Sequence, residues 1–398
     1  MKTHMIFLLC LLLGGTMQAE EYLKQVLKNL EQIRSASYRV AIKSCFPGDT
    51  SSDNVKIRFM KEWDNPQDTT LGAKFMWFDG KSDSSFHGGY DGEIYAFINK
   101  DKTIVSIDDF STNRLPYRPL DPPFFNWGKN LIRYILETPD SITTEVRETG
   151  KEYFVRLTIY EDTQVEFFGR AHHMPEVPPE FYVEPTSVYE LWIDKTTDLP
   201  YKIRREMSHN ISLHACSEVK LNGLRPEEFD LRSYFPEGYE VRKKGERVAP
   251  DPARELEGKP APLWTLRDVD GKEWSLSALK GKVVLLNLTG IGCGACHASI
   301  PFLRTLGGRF VSTDFALVAI ETWGRNQHSI RNYINRNKIN YPFLEGVPDI
   351  VKDYQTGGAA PAFFLIDRNG VVKKVFRGYS LEKSDRELTE AIENLLHE

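Results

Sequence analysis

Two cysteines three residues apart are the part of this sequence best equipped for chemistry. Cys293 and Cys296 stand where an apolar run, 283–288, gives way to a helical pattern. Two thiols at this spacing at the start of a helix can form a disulfide with each other and can exchange it with the thiols or disulfides of another molecule. This is redox chemistry that uses only protein sulfur, so we expect no cofactor.

The place of each thiol in the predicted helix indicates its role. Cys293 comes first and faces backbone N–H groups that have no partner within the helix, and such groups stabilise a thiolate. We therefore expect Cys293 to be the nucleophile. Cys296 lies one turn deeper, from where it would resolve a mixed disulfide by attacking Cys293 and releasing the partner.

The same residues allow three other interpretations. Together with His297, the segment 293–297 also spells a c-type haem attachment site, but such a site needs a second axial ligand and a helical domain. A zinc site would require two more cysteines or histidines at ligand spacing, and none accompanies this pair, so we expect no metal. A purely structural disulfide over so short a loop would restrict the unfolded chain very little.

Composition and the amino terminus indicate an exported globular protein. The chain has 398 residues and a formal net charge of -5, which suits two or three domains and gives no general attraction to nucleic acid. Residues 1–19 have the order of a secretory signal peptide, with an apolar run from Ile6 to Leu13 that is too short for a membrane anchor. Because apolar sequence continues after Cys10, no lipobox is present, and we expect a periplasmic bacterial protein without a lipid anchor.

Removal of the signal peptide would leave four cysteines in a compartment that permits disulfides. Besides the reactive pair these are Cys45, in the first predicted strand, and Cys216, in a late one. We favour a structural disulfide between Cys45 and Cys216 over two buried thiols.

Residues 20–240 have a mainly β pattern. Amphipathic helices are predicted over 21–34 and 127–137, and short strands rich in aromatic and β-branched residues alternate with turn residues through the rest. A proline-rich loop is predicted over 173–185, where we interpret His172, His173 and Glu176 as a solvated turn rather than a metal site. The charged, proline-containing stretch 241–260 is predicted to be a linker.

One amphipathic helix followed by many antiparallel strands resembles the LolA/LolB-like fold of exported bacterial proteins. The resemblance covers residues 20–240 and implies a curved sheet or half-barrel wrapped over helices. Its concave face would hold an apolar ligand or a partner protein. A sheet with a filled core is the other interpretation of the same pattern.

Residues 261–398 alternate strands and helices, which predicts an α/β domain with a mixed sheet. A hairpin is predicted around 268–271, with further strands over 283–288, 315–320, 362–366 and 371–376. Helices are predicted from 293 onward and over 328–337, 348–355 and 385–396. The whole chain is thus predicted to have two domains, the first mainly antiparallel β and the second α/β.

This order of elements, with the dithiol at the first helix and Ala360 and Pro361 opening a later strand, resembles the TlpA/ResA-like branch of the thioredoxin superfamily. Pro301 falls where that family kinks its first helix, and 341–355 fits the insertion typical of this branch. The resemblance implies a thioredoxin-like thiol–disulfide oxidoreductase, more often a reductase, that exchanges disulfides with client proteins. It also implies electrons from a DsbD-type membrane thiol transporter and a cis bond before Pro361.

The resemblance further implies a docking groove for the client beside the sulfurs. The residues that we expect to line this groove are Pro361, Ala360, Gly292, Gly294 and Ala295.

The chain departs from the family's pattern where that pattern handles protons. Ser299 stands where reductases of this branch often carry glutamate, and Asn287 where plain thioredoxins have aspartate. Gly292 stands where tryptophan is common. We therefore consider His297 and Glu321 as replacement proton acceptors for the buried thiol.

Two other functions remain open. A peroxidase of the same fold would carry proline and threonine or serine just upstream of its cysteine, and Thr289 is out of register for that role. Alternatively, the amino-terminal domain would be a binding module for lipid or another apolar ligand, and the dithiol would be accessory.

Overall fold

The computed structural model describes residues 18–48, 55–80, 82–111, 121–174, 185–244, 251–309 and 314–398. The predicted signal peptide, except for its last two residues, and Glu176 lie outside these ranges. The described residues divide into two compact units, one within 1–44 and 53–247 and the other within 45–52 and 248–398. No helix in the described part of the chain has both the length and the apolar character needed to cross a membrane.

The first unit contains a sheet of twelve strands and two long helices. Helix α1 spans 18–31 and α2 spans Phe124–Glu137. The strands lie in the order β14-β6-β5-β4-β3-β2-β1-β13-β12-β11-β8-β7, and β9 and β10 form a separate hairpin. The strands of this unit are β1 Ser35–Cys45, β2 Val55–Asp64, β3 Ala73–Asp79, β4 Phe86–Tyr90, β5 Tyr95–Asn99, β6 Ile104–Asp108, β7 Ile142–Thr149, β8 Glu152–Ile159, β9 Val165–Phe167, β10 Ala171–His173, β11 Ser187–Asp194, β12 Leu199–Glu206, β13 Ile211–Leu221 and β14 Glu240–Lys243.

The core of this unit lies between the sheet and the two helices. The apolar stripe that predicts α1 is buried, with Leu23, Val26 and Leu30 at most 2% exposed. Leu131 of α2 is fully buried in the same cluster, together with alternate residues of the central strands. The structure therefore confirms a mainly antiparallel β region with both predicted helices.

The two units divide at residues 247 and 248, inside the predicted linker 241–260, but both ends of that stretch carry secondary structure. Residues 240–243 form β14, which pairs in parallel with β6 so that Val241 lies opposite Val105. At the other end, Pro252–Leu256 form a 3-10 turn, in which Ala253 is fully buried and Leu256 is 7% exposed. Charge and proline content predicted a solvated segment, but ladder hydrogen bonds and apolar burial place these residues within the two units.

The second unit has a five-stranded mixed sheet flanked by helices. The strand order is β19-β18-β17-β20-β21, with β17, β18 and β19 parallel to one another and β20 antiparallel to both β17 and β21. The strands of this unit are β15 Thr265–Arg267, β16 Glu273–Ser275, β17 Val283–Thr289, β18 Phe315–Glu321, β19 Phe343–Glu345, β20 Ala362–Ile366 and β21 Val372–Arg377. The helices are α3 Gly294–Ala298, α4 Ile300–Arg309, α5 Gln327–Asn337, α6 Pro348–Asp353 and α7 Leu381–His397.

Strand β17 explains how this unit holds the dithiol in place. All seven of its residues are buried, as expected for a strand covered on both faces. Val283 and Leu285 pack into one apolar cluster with α4, α5 and α7, whereas Val284 and Leu286 pack into a second cluster on the opposite face. The strand is therefore fixed from both sides, and the turn that follows it starts from a rigid support.

Candidate active site

The dithiol follows β17 through a tight turn. The N–H of Cys293 donates to the carbonyl oxygen of Gly290 at 3.2 Å, which closes the turn 290–293. Gly292 has a φ of 97°, a backbone conformation that other L-residues rarely adopt. This geometry explains why glycine occupies position 292, where the family pattern commonly has tryptophan.

The two sulfurs form a disulfide across the first turn of α3. The Cα atoms of Cys293 and Cys296 are 5.2 Å apart. Cys293 is 9% exposed and Cys296 is 2% exposed, so a partner has better access to Cys293.

One backbone N–H faces the sulfur of Cys293. Cys293 is the N-cap residue of α3, and its Sγ accepts the N–H of Cys296 at 3.1 Å. An N–H aimed at sulfur favours the anionic form of that sulfur once the disulfide is reduced. The contact thus acts on the cysteine that the sequence indicates as the nucleophile.

The loop before β20 lies beside the same sulfur. The bond between Ala360 and Pro361 is cis, as the family resemblance implied. Sγ of Cys293 lies 3.6 Å from the carbonyl oxygen of Ala360. The disulfide sulfur carries no hydrogen, so this is a van der Waals contact here, and it becomes available as an S–H···O bond on reduction. Gly294 and Ala295, which we expect to line the groove, are half-buried in the first turn of α3.

Ser299 joins the helix that carries the dithiol to the next one. Its hydroxyl donates to the carbonyl oxygen of Cys296 at 2.8 Å, and the residue is fully buried. Helix α3 ends at Ala298 and α4 begins at Ile300, one residue before Pro301, whose missing N–H prevents a continuous helix. The predicted kink is therefore present, and Ser299 supplies a backbone hydrogen bond rather than an acid.

Glu321, considered above as a proton acceptor, holds the loops of the site together. It ends β18 and is 1% exposed. Its carboxylate accepts the backbone N–H groups of Ile291 at 3.3 Å, of Trp323 at 3.0 Å and of Arg325 at 2.9 Å. Burial raises the pKa of Glu321, and these hydrogen bonds oppose the rise.

His297, the other candidate acceptor, lies in the second half of α3 and is half-buried. Burial, followed by the positive charge of Arg336, lowers the pKa of its imidazole. The ring is therefore neutral near neutral pH, which is the form that accepts a proton. Its role in the reaction stays a prediction.

The sequence interpretation missed the loop between β18 and α5. Trp323 from this loop is 43% exposed, and its Nε1–H donates to the carbonyl oxygen of Gly358 at 2.9 Å. Arg325 donates from its guanidinium to the carbonyl oxygen of Ile291 at 3.3 Å. The available signal was their position just after a parallel strand, where functional side chains of α/β sheets gather.

The predicted structural disulfide between Cys45 and Cys216 is wrong. Both cysteines are buried thiols in the structure. Burial, followed by the charge of Glu62, raises the pKa of the Cys216 thiol well above its usual value.

His173 is placed in an ion pair. Its Nε2 lies 2.8 Å from Oδ2 of Asp140, which also accepts the hydroxyl of Tyr134 at 2.6 Å. Glu161 brings a third titratable group within 4.8 Å of this pair, and its carboxylate accepts the N–H of Ser141 at 2.5 Å.

A cavity opens in the first unit where the resemblance implied an apolar binding face. It measures about 70 Å³ and is lined by apolar and polar side chains, among them Met60, Phe75, Trp77, Arg58 and His214. Pockets that hold small-molecule ligands usually measure about 300–1,000 Å³. The cavity, as the described residues line it, is smaller than that range.

Comparisons with known proteins find similarity over about a third of the chain. A family model described as Redoxin matches residues 256–392. The chain is 32% identical over 126 residues to thiol-disulfide oxidoreductase ResA of Bacillus subtilis (strain 168), which covers 32% of this chain and 70% of that protein. It is 31% identical over 130 residues to the protein of the same name from Geobacillus kaustophilus (strain HTA426), covering 33% and 74%. Among solved structures, a thiol:disulfide interchange protein of the thioredoxin family from Chlorobium tepidum TLS has 28% identity and a TM-score of 0.31, covering 34% of this chain and 95% of that one.

Proposed function

The chain belongs to the ResA family of thiol-disulfide oxidoreductases through its thioredoxin-like second unit, and from this we propose that it reduces disulfides of client proteins through Cys293 and Cys296. The observation that carries the proposal is the N–H of Cys296, which donates to Sγ of Cys293 at 3.1 Å. This contact stabilises a thiolate on the more exposed of the two sulfurs. Thiolate character and access are the two properties that an attacking cysteine needs.

The exchange takes place in two displacements. The Cys293 thiolate attacks one sulfur of the client's disulfide, the client's S–S bond breaks, and the departing client thiolate takes up a proton. Cys296, having lost its own proton, then attacks Sγ of Cys293, and the second client sulfur leaves as a thiolate that is protonated in turn. Two electrons and two protons have moved to the client. The enzyme is left as the Cys293–Cys296 disulfide.

A proton acceptor for Cys296 is needed in the second displacement. Glu321 and His297 are the candidates for this role, and burial raises the pKa of Glu321, which makes its carboxylate a better base near neutral pH than an ordinary one. Glu321 accepts the N–H of Ile291, two residues before Cys293. Its carboxylate is therefore anchored to the same turn as the nucleophile.

The cellular setting in this proposal is the bacterial periplasm. The signal-peptide pattern over residues 1–19 supports export. A reductase in that compartment must be reduced again after each turnover, and by family resemblance a DsbD-type membrane thiol transporter would supply the electrons. The first unit, with its LolA-like order of elements, would then select or present the client.

Trapping separates the two cysteine roles. Cys296→Ser retains the nucleophile but removes the resolving thiol, so mixed disulfides with client proteins should accumulate in the exporting cell. Cys293→Ser is the matched control and should trap about tenfold less, because Cys296 is nearly inaccessible. Equal trapping by both variants, or by neither, would contradict the exchange mechanism.

The direction of electron flow is tested by equilibrium with glutathione. A reductase should have a potential more negative than about -200 mV, whereas strongly oxidising thioredoxin-fold proteins lie near about -120 mV. The reduced protein should also cleave the disulfides of insulin and should not consume hydrogen peroxide catalytically. Rapid peroxide turnover that depends on Cys293 would favour the peroxidase alternative instead.

A further inference from the structure

An exposed indole packs beside the turn that leads to the accessible sulfur. Trp323 is 43% exposed, although its backbone and ring are both held in place. Its N–H donates to a carboxylate oxygen of Glu321 at 3.0 Å, and its ring Nε1–H donates to the carbonyl oxygen of Gly358 at 2.9 Å. The preceding residue, Thr322, donates its N–H to the carbonyl oxygen of Thr289 at 2.8 Å.

The indole packs directly on the turn that leads to the nucleophile. A Cβ atom added at Gly290 would lie 2.4, 2.6 and 2.8 Å from three ring atoms of Trp323. The carbonyl oxygen of Gly290 in turn accepts the N–H of Cys293 at 3.2 Å. The ring therefore connects the turn 290–293 to residue 358, two positions before Ala360, whose carbonyl oxygen lies 3.6 Å from Sγ of Cys293.

The rest of this surface is made of small residues. Gly292, Gly294, Ala295 and Ala360 are all half-buried and carry at most one methyl group. They leave backbone and sulfur open to a partner, but they offer little apolar area. Trp323, beside the turn 290–293, is a large exposed side chain that supplies such area.

The hydrogen bonding of the indole limits the kinds of side chain that it can bind. Its single N–H donor is used by Gly358, so the exposed ring offers a π face and apolar edges but no polar group. A fixed ring also loses little conformational freedom when a partner binds. Aliphatic or aromatic side chains suit such a platform best.

We propose that Trp323 is a specificity-determining docking platform for the residue next to the client's cysteine, and that it selects an aliphatic or aromatic side chain. The partner is an extended segment of a client protein whose disulfide meets Cys293. This inference rests on the proposed disulfide exchange. In this inference the loop after β18 makes the apolar contact with the client that Gly292, which has no side chain, does not make.

Two peptides with one internal disulfide each test the platform. They have the same length, one with leucine and the other with serine beside each cysteine. We expect the reduced wild-type protein to cleave the leucine peptide with about tenfold higher kcat/KM, since one well-packed apolar contact is worth roughly one power of ten. Trp323→Ala should remove this preference through a higher KM for the leucine peptide, so that the two peptides are cleaved with similar kcat/KM.

Three controls separate docking from support of the loops. Trp323→Phe keeps an apolar ring without the N–H and should retain most of the preference. Leu263→Ala changes another exposed apolar side chain of the same unit, 76% exposed, and should behave as wild type. Reduction of the Cys293–Cys296 disulfide by dithiothreitol should proceed equally fast in all variants.

The outcomes distinguish this inference from the function on which it depends. A leucine preference that survives Trp323→Ala overturns the platform alone, and so does an equal loss of rate with both peptides. Failure of the wild-type protein to cleave either peptide overturns the proposed exchange and the platform with it.

Discussion

The carboxylate of Glu321 accepts the backbone N–H of Ile291 at 3.3 Å and so ties the end of β18 to the turn that precedes Cys293. Two further N–H groups, of Trp323 and Arg325, bond to the same carboxylate. One buried side chain therefore fixes two neighbouring loops. The position of the nucleophile depends on a residue 28 places further along the chain.

Glu321→Ala should destabilise the oxidised protein by at least ~2 kcal/mol, because three backbone donors lose their acceptor in a buried place. Peptide disulfide exchange should fall as well, by about tenfold, since the turn before Cys293 loses its anchor. Urea denaturation and kcat/KM measure the two effects. Glu345→Ala is the control, because Glu345 pairs with Glu321 across β18 and β19 but is only half-buried. Equal stability of the two variants would contradict the anchoring role.

Gly290→Ala should displace the indole of Trp323, because the new Cβ would lie 2.4 Å from the ring. We expect a lower melting temperature, a shift in tryptophan emission and loss of the leucine-peptide preference. Gly308→Ala in α4 is the matched control, because a Cβ there meets open space. It should stabilise the protein by about 0.5–1 kcal/mol through helix propensity. Unchanged emission in Gly290→Ala would argue against contact between the ring and this turn.

Alkylation of the reduced protein should modify Cys293 first. Cys293 is 9% exposed and accepts an N–H, whereas Cys296 is 2% exposed. With limiting iodoacetamide at neutral pH, we expect Cys293 to react about tenfold faster than Cys296. Peptide mass spectrometry of timed samples gives both rates. Faster modification of Cys296 would reverse the assigned roles.

The first unit should lose stability as the pH rises from about 4.5 to 7. Glu62 accepts the hydroxyl of Tyr38 at 2.6 Å in the core, and burial raises the pKa of Glu62 from 4.5 to about 7. Between these two pH values Glu62 keeps its proton in the folded state and releases it in the unfolded state. The stability that the bound proton contributes is therefore fully present below the pKa of the unfolded state and is lost as the pH rises through the pKa of the folded state. Over this pH range the free energy of unfolding should fall by ~3 kcal/mol.

Glu62→Gln should remove this dependence, because the amide is neutral at every pH. The free energy of unfolding from urea titrations at pH 5 and pH 8 measures the difference. Glu145→Gln, on the exposed edge strand β7, should leave the wild-type dependence intact. A wild-type protein that is equally stable at both pH values would contradict a buried, protonated Glu62.

The local sequence pattern predicted the elements of this fold that interactions between neighbouring residues determine. The apolar run 283–288 is β17, the helix predicted over 328–337 is α5, and the dithiol lies at the strand-to-helix junction. In each case the apolar periodicity, the N-cap residue or the position of a glycine locally favours the conformation that the folded chain adopts.

Long-range pairing explains the errors. Three of the four residues 240–243 are charged, and hydrogen bonds to β6, more than 130 residues away, make them a strand. The distance between Cys45 and Cys216 depends on sheet register, which a count of cysteines does not contain. Trp323 acquires its place from Gly290 and Gly358, at separations of 33 and 35 residues. A pattern read from neighbouring residues in the sequence does not contain these long-range contacts.

The pairing of β14 with β6 determines where the first unit can be cut for separate expression. A fragment that stops at residue 239 would expose β6 as an open sheet edge, with the apolar residues Ile104, Val105 and Ile107 along it. Such edges recruit strands from other molecules. A fragment extended to Lys244, whose N–H donates to the carbonyl oxygen of Ile107 at 2.7 Å, would keep that edge covered and should stay monomeric at concentrations where the shorter one precipitates.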